Sequence, residues 1–243
     1  IDPVSRLWSV QTDHAQTITA KFVVMATGCI STAQVPEIEG LSQFKGETYH
    51  TGAWPHEKVE FNGKRVAVIG TGSSGIQVIP EIAKEAGHLT VFQRTANFSI
   101  PTRNAPMTAD YSRSWKEGYA DKRELMRHSH QGNTRPRGEK SALEVNAEER
   151  RATLEAQWKN GGSGFLAAFN DILTSQPAND TMSEFVRNKI FEIVKDKRAA
   201  EILAPKSHPI GTKRICVDSG YYETFNRDNV DLIDISQKPI ESL

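Results

Sequence analysis

Residues 65–94 read RVAVIGTGSSGIQVIPEIAKEAGHLTVFQR, and the fold is decided there. The apolar run 66–69 predicts a strand covered on both faces, as parallel strands are. Ile76, Ile79, Ile82, Ala83 and Ala86 recur at helical spacing, and Gly87 falls where a left-handed C-cap belongs. Pro80 cannot donate to the carbonyl of Ile76, so a bend is expected inside that helix. HLTVFQR, 88–94, supplies a second strand. The result is a strand–glycine turn–helix–strand unit, the signature of an α/β fold with a parallel sheet.

The turn itself, Gly70-Thr71-Gly72-Ser73-Ser74-Gly75, fits G-x-G-x-x-G with the strand before it and the helix after it that the motif requires. Gly70 permits the tight turn, Gly72 lets backbone approach a pyrophosphate, and Gly75 allows close helix–strand packing. The helix N-terminus offers free N–H groups to the anion. The competing reading is a glycine turn that serves packing alone. About twenty residues past the glycines, NAD sites carry an acidic residue for the ribose 2′-hydroxyl; here stand Gln93, Arg94 and Thr95. A guanidinium pairs with a 2′-phosphate that a carboxylate would repel, so NADP is favoured over NAD. Otherwise Arg94 is a solvated strand-end residue.

Outward from this unit, residues 6–28 give two β-rich runs, RLWSVQ and TITAKFVVMATG, read as a hairpin whose second strand continues to Ala26-Thr27-Gly28. Pro36, Gly40, Gly46, Gly52 and Pro55 then break the chain into a linker. Helical patterns follow at 110–130, 146–159, 165–173 and 183–204, after which Cys216-Val217 and 230–235 return to strand. The 243 residues include 30 basic and 30 acidic ones, so no global field favours nucleic acid or an anionic membrane, and a small-molecule partner is expected. Two cysteines, Cys29 and Cys216, make no disulfide framework or metal motif, pointing to a cytoplasmic protein. No apolar run approaches a membrane span. Cys29, His128, His130 and the partly basic stretch 133–140 are read as structural or solvated residues.

Upstream of the glycine turn, FKGETYHTGAWP at 44–55 sets Phe44, Gly46, His50, Trp54 and Pro55 in F-x-G-x-x-x-H-x-x-x-W-P. With GTGSSG, FQRTANFSIPTRN (92–104) and GTKRICVDSGYYETFNRDNV (211–230), this resembles the fingerprint of type I Baeyer–Villiger monooxygenases over nearly the whole chain. The resemblance implies FAD and NADP as cofactors, and a reaction in which NADPH, molecular oxygen and a ketone give an ester or lactone through a flavin peroxide. It implies that Arg94, Thr95 and Lys213 hold the 2′-phosphate, that Thr71, Ser73, Ser74 and Gln77 lie along the cofactor, and that Arg214 is the active-site arginine. A guanidinium suits that task because it keeps its charge throughout.

The fingerprint would join FAD and NADP halves. Gly46 is expected to turn sharply, Phe44 and Trp54 to anchor by burial, and His50 to fasten backbone through a hydrogen bond. Domains are expected at 1–40 (part of an FAD-binding domain), 41–62 (fingerprint linker), 63–104 (first part of a Rossmann-like NADP-binding domain), 105–206 (helical insertion) and 207–243 (return of the NADP domain and start of the FAD return). The family's FAD-binding glycine motif does not occur, so the chain is read as an internal fragment with an incomplete FAD domain, inactive alone. An N- or S-oxygenating flavin monooxygenase and a non-catalytic NADP-binding module remain as alternatives.

Overall fold

The computed structural model describes residues 1–28, 31–129 and 132–243. Strands β1 (Trp8–Gln11) and β2 (Thr17–Ala20) form an antiparallel hairpin with Trp8 opposite Ala20 and Gln11 opposite Thr17. The second strand stops eight residues short of Gly28. No described strand pairs with residues 21–28, and Phe22, Val24 and Met25 are 78%, 88% and 82% exposed. Without a neighbour to take up its N–H and C=O groups, an apolar run has no ladder to join.

The parallel unit lies where its sequence puts it: β3 (Arg65–Ile69), α1 (Ser73–Glu85) and β4 (His88–Gln93), with Arg65 opposite His88 and Ile69 opposite Phe92. Helix α1 continues through Pro80, which is buried. Two local expectations fail. Strand β3 is covered on one face only: Val66 and Val68 are half-buried, while Arg65, Ala67 and Ile69 are exposed, the same alternation that the central strand β4 shows. Gly87 is not left-handed, and the helix ends on extended Ala86. A side chain at Gly87 would stand 2.7 Å from the Gly63 carbonyl oxygen, so close approach of two backbones is what requires glycine there.

Beyond β4 come β5 (Ser99–Pro101), α2 (Ala109–Glu117), α3 (Tyr119–His128), α4 (Ala147–Asn160), a 3-10 turn (Ser163–Ala167), α5 (Gln176–Ile193), α6 (Lys197–Leu203), β6 (Cys216–Asp218), α7 (Tyr221–Thr224) and β7 (Val230–Asp234). The helix expected over 110–130 divides at Gly118, which caps both halves. The pattern at 165–173 yields only the 3-10 turn. The long helix expected over 183–204 starts earlier, where Ser175 caps α5, and breaks at Val194; Asp196 then caps α6.

Strand β7 adds in parallel to β4, giving the order β3-β4-β7 with Leu89 opposite Val230, and β5 pairs in parallel with β6. The architecture is therefore α/β with parallel sheets. Ile76, Ile79, Leu89 and Val91 pack in one core with Met182, Val186 and Ile190 of α5, and that core extends to the aromatic group Trp158, Phe165 and Phe185. The hairpin and residues 21–28 stand outside it, almost wholly exposed. Residues 39–40 meet the C-terminal strand-like end through a parallel bridge between Glu39 and Ser242. No helix among the described residues is long and apolar enough to cross a membrane.

Candidate dinucleotide site

Strands β3, β4 and β7 run parallel, so their carboxyl ends lie on one edge of the sheet, and the glycine turn, Arg94 and Ile235 follow those ends directly. This is the edge where open α/β sheets take ligands. Gly70 adopts φ 100 and donates its N–H to the Phe92 carbonyl at 2.9 Å. A side chain at Gly75 would collide with the Gly70 carbonyl oxygen, whereas one at Gly70 or Gly72 would meet open space. Helix α1 therefore packs tightly on the turn while the turn's outer side stays clear.

The N-terminus of α1 is uncapped. Gly72 supplies no side chain, and no acidic residue stands in the first turn. By contrast Thr108, Asn146, Ser175 and Asp196 cap α2, α4, α5 and α6 with side-chain oxygens. Gly72, Ser73 and Ser74 are exposed. The first N–H groups of a thirteen-residue helix, at the positive end of its dipole, thus face outward without an acceptor of their own. Gln77 donates its amide to the Ser73 carbonyl and hydroxyl, each at 3.2 Å, and holds that first turn.

Beneath the turn lies a polar layer that sequence reasoning missed. The Thr71 side chain is buried, with its hydroxyl 3.2 Å from Gln93 Oε1 and 3.3 Å from the Thr95 carbonyl. Gln93 is buried too, and its amide donates to the Ile202 carbonyl of α6 at 2.7 Å. Asn97 donates to the Thr71 carbonyl at 2.7 Å. Thr71, expected along the cofactor, consequently has its side chain committed inward, leaving Ser73, Ser74 and Gln77 as the exposed side chains of the turn.

Three cations follow β4 or precede β6. Arg94, Lys213 and Arg214 are exposed, and among the described residues none of their side chains makes a hydrogen bond or ion pair. The segment carrying Lys213 and Arg214 reaches the N-terminus of α1 through Cys216, whose buried thiol lies against the Ser73 side chain; burial and the Asp218 charge push that thiol up. Lys213 lies close enough to His208 that, after burial, its charge is the second cause holding that imidazole below the ordinary value. His208 packs edge-on to Phe98 at 5.6 Å, with its Nδ1 3.1 Å from the Ser207 hydroxyl.

Asp218 was also missed. It accepts from the Ser99 hydroxyl at 2.5 Å and from the N–H groups of Gly220 and Tyr221 at 3.0 and 2.9 Å, tying β5, β6 and α7 together. Asp-Ser-Gly is an Asx-turn sequence, so a signal was available.

The fingerprint segment forms two 3-10 turns, Leu41–Gln43 and Thr51–Ala53. His50 Nδ1 accepts from the Gly52 N–H at 3.0 Å, which leaves Nε2 as the protonated nitrogen of the neutral ring. Two expectations for this segment need correction. Gly46 has no positive φ; the Phe44 ring lies over it, 2.5 Å from where a side chain would begin. Phe44 and Trp54 are not buried, at 48% and 39% exposed; Trp54 instead joins Tyr49 and Phe61 in an aromatic group with centroids 5.7 to 6.4 Å apart. Lys64 of the β3 approach pairs with Glu47 at 2.6 Å and fastens the segment to the parallel unit.

His128 pairs with Glu124 at 2.9 Å on the exposed side of α3, while His130 and Cys29 lie outside the described residues. Among the described residues no group of three or more His, Cys, Asp or Glu is placed to hold a metal ion.

Residues 1–168 match the family model described as pyridine nucleotide-disulphide oxidoreductase. Cyclohexanone 1,2-monooxygenase of an Acinetobacter species is 44% identical over 237 residues, covering 96% of this chain and 43% of that protein. The structure of an oxidized steroid monooxygenase bound to NADP superposes with a TM-score of 0.94 at 50% identity, over 100% of this chain and 46% of that one. That of OTEMO in complex with FAD and NADP gives 0.94 at 39% identity, over 98% and 46%. The chain spans somewhat under half the length of the relatives it matches. On these grounds the chain belongs to the pyridine nucleotide-disulphide oxidoreductase family, in the company of its Baeyer–Villiger monooxygenase members.

Proposed function

We propose that this chain provides the NADPH-binding part of a flavoprotein monooxygenase that inserts one oxygen atom of O2 beside a ketone carbonyl, giving an ester or lactone. The observation that carries the reading is the uncapped N-terminus of α1 opening on the same sheet edge as the unpaired Arg94. A pyrophosphate needs N–H donors and clear backbone, and a 2′-phosphate needs a cation no carboxylate has claimed.

In this reading Gly70, Thr71, Gly72, Ser73, Ser74, Gly75 and Gln77 form the coenzyme cradle, Thr71 through its backbone. Arg94, Thr95 and Lys213 take the 2′-phosphate, so NADP is preferred to NAD. Residues 63–104 and the return within 207–243 make a Rossmann-like NADP domain, with 207–243 also starting the FAD-domain return, 105–206 a helical insertion, 41–62 a linker positioned by Phe44, Gly46, His50, Trp54 and Pro55, and 1–40 part of an FAD domain. Arg214 holds a fixed positive charge toward the reacting ketone; as a guanidinium it neither gives nor takes a proton, so it opposes developing negative charge throughout. NADPH supplies the reducing equivalents when bound. For FAD, residues 21–28 are the segment expected to face it; they are exposed, and a side chain at Gly28 would meet nothing within 4 Å, as at Gly70 and Gly72, so backbone there is open to a cofactor. A cytoplasmic location belongs to the same proposal.

Calorimetry with NADP+ and NAD+ on the chain and its Arg94→Ala variant tests the coenzyme half. Tighter binding of NADP+, lost in the variant, supports it; equal preference in both proteins rejects it. Product identity tests the chemistry in the intact protein. Esters or lactones from a ketone panel support it, and amine or thioether oxidation without ketone turnover replaces it with the N- or S-oxygenating alternative.

A further inference from the structure

We infer that Tyr221 is a positioning residue for the glycine turn, its buried hydroxyl serving as the hydrogen-bond donor that fixes Thr71 when a dinucleotide is seated. The inference rests on the coenzyme site proposed above.

Tyr221 is 1% exposed, and its hydroxyl is the one buried side-chain polar atom among the described residues with no hydrogen-bond partner. Its ring stands edge-on to Phe225 at 5.1 Å and beside Tyr222 at 5.2 Å, while its N–H is held by Asp218. Packing alone would be served as well by phenylalanine. A buried hydroxyl without a partner costs free energy, so retaining the oxygen calls for a use.

Thr71 is the hydroxyl side chain near enough to act on that oxygen, although no hydrogen bond joins the two. Thr71 has one hydroxyl hydrogen and two long acceptor contacts, Gln93 Oε1 at 3.2 Å and the Thr95 carbonyl at 3.3 Å. Its lone pairs remain open to a donor. A pyrophosphate gripping the N–H groups of the 70–75 turn restrains Thr71 from above. Its hydrogen then settles on Gln93, and Tyr221 donates from below. The completed line runs Tyr221, Thr71, Gln93 and the Ile202 carbonyl, joining the turn to α7 on one side and α6 on the other. Helix α7 follows directly on Asp218 of β6, the strand preceded by Lys213 and Arg214, so the same line sets the turn against the two cations.

The test is Tyr221→Phe in the whole chain, with NADP+ affinity by calorimetry and melting temperature without ligand. The variant should melt at the same temperature or higher, and bind NADP+ about 3–10-fold more weakly, the range of one hydrogen bond. Thr71→Val removes the acceptor and is the second variant. In that background Tyr221→Phe should cost nothing further, a non-additive cycle that a packing role would not give. Unchanged affinity in Tyr221→Phe, or full additivity with Thr71→Val, overturns the inference while the coenzyme site stands. Absence of NADP+ binding by the unmodified chain overturns the site and the inference together.

Discussion

In the proposed coenzyme site, Arg94 is the residue on which the choice between NADP and NAD turns. It is exposed and unpaired among the described residues, so its removal should leave stability within about 0.5 kcal/mol. Loss of a charge-assisted contact to a 2′-phosphate is worth about 1.5–3 kcal/mol, so Arg94→Ala should weaken NADP+ roughly 10–100-fold in calorimetry and leave NAD+ unchanged. His208 gives a pH dependence of definite sign. Burial, then the Lys213 charge, favours its neutral form in the fold, holding it below the ordinary 6.5. The unfolded chain therefore binds a proton that the folded chain declines, and stability should fall as pH drops below about 6.5. Urea titrations between pH 7.5 and 5 should show that fall, and His208→Gln should flatten its His208 component.

At the scale of elements, α6 matters beyond its seven residues because its Ile202 carbonyl receives Gln93, the partner of Thr71. The helix is started by Asp196, whose carboxylate accepts from the Ala199 N–H at 2.7 Å. Replacing Asp196 with alanine should cost about 1 kcal/mol of stability, read as a lowered denaturant midpoint with unchanged slope. Coenzyme affinity should fall less than stability does, since Gln93 retains Thr71. The helix boundaries around α6 illustrate what a one-dimensional pattern conceals. Residues 183–204 are helical almost throughout, and the break at Val194 arises because Asn226 takes the Ile193 carbonyl and the Lys195 N–H, two groups a continuous helix would have used.

At the scale of the described residues taken together, the β3-β4-β7 sheet is covered unequally on its two faces. Helices cover one face of the β3-β4-β7 sheet; on the other, Ala67, Ile69 and Ile233 are exposed and Phe92 half-buried. Contiguous apolar surface of this kind recruits whatever apolar partner is at hand. The chain should bind a hydrophobic dye and self-associate with rising concentration in sedimentation. Ile233→Lys should reduce both without lowering the melting temperature, because Ile233 already meets solvent. Unaltered dye binding and sedimentation in that variant would place the association elsewhere, with the exposed residues 22–25 the next surface to alter.

The parallel unit was legible because its information is local. A run of apolar residues, a glycine turn and a 3.6-residue period specify β3, α1 and β4 with little help from elsewhere. The hairpin and the return of strand at 216 and 230 were legible for the same reason. What lies under the turn was not, since Thr71, Gln93, Tyr221 and Ile202 come from four separated parts of the chain and meet only when α6 and α7 dock. Exposure escaped the sequence as well: apolar pattern alone does not distinguish a strand covered twice from one covered once. Short-range stereochemistry thus determined the strand–turn–helix unit, whereas the committed Thr71, the unpartnered Tyr221 and the open sheet face were decided by packing between residues more than twenty positions apart.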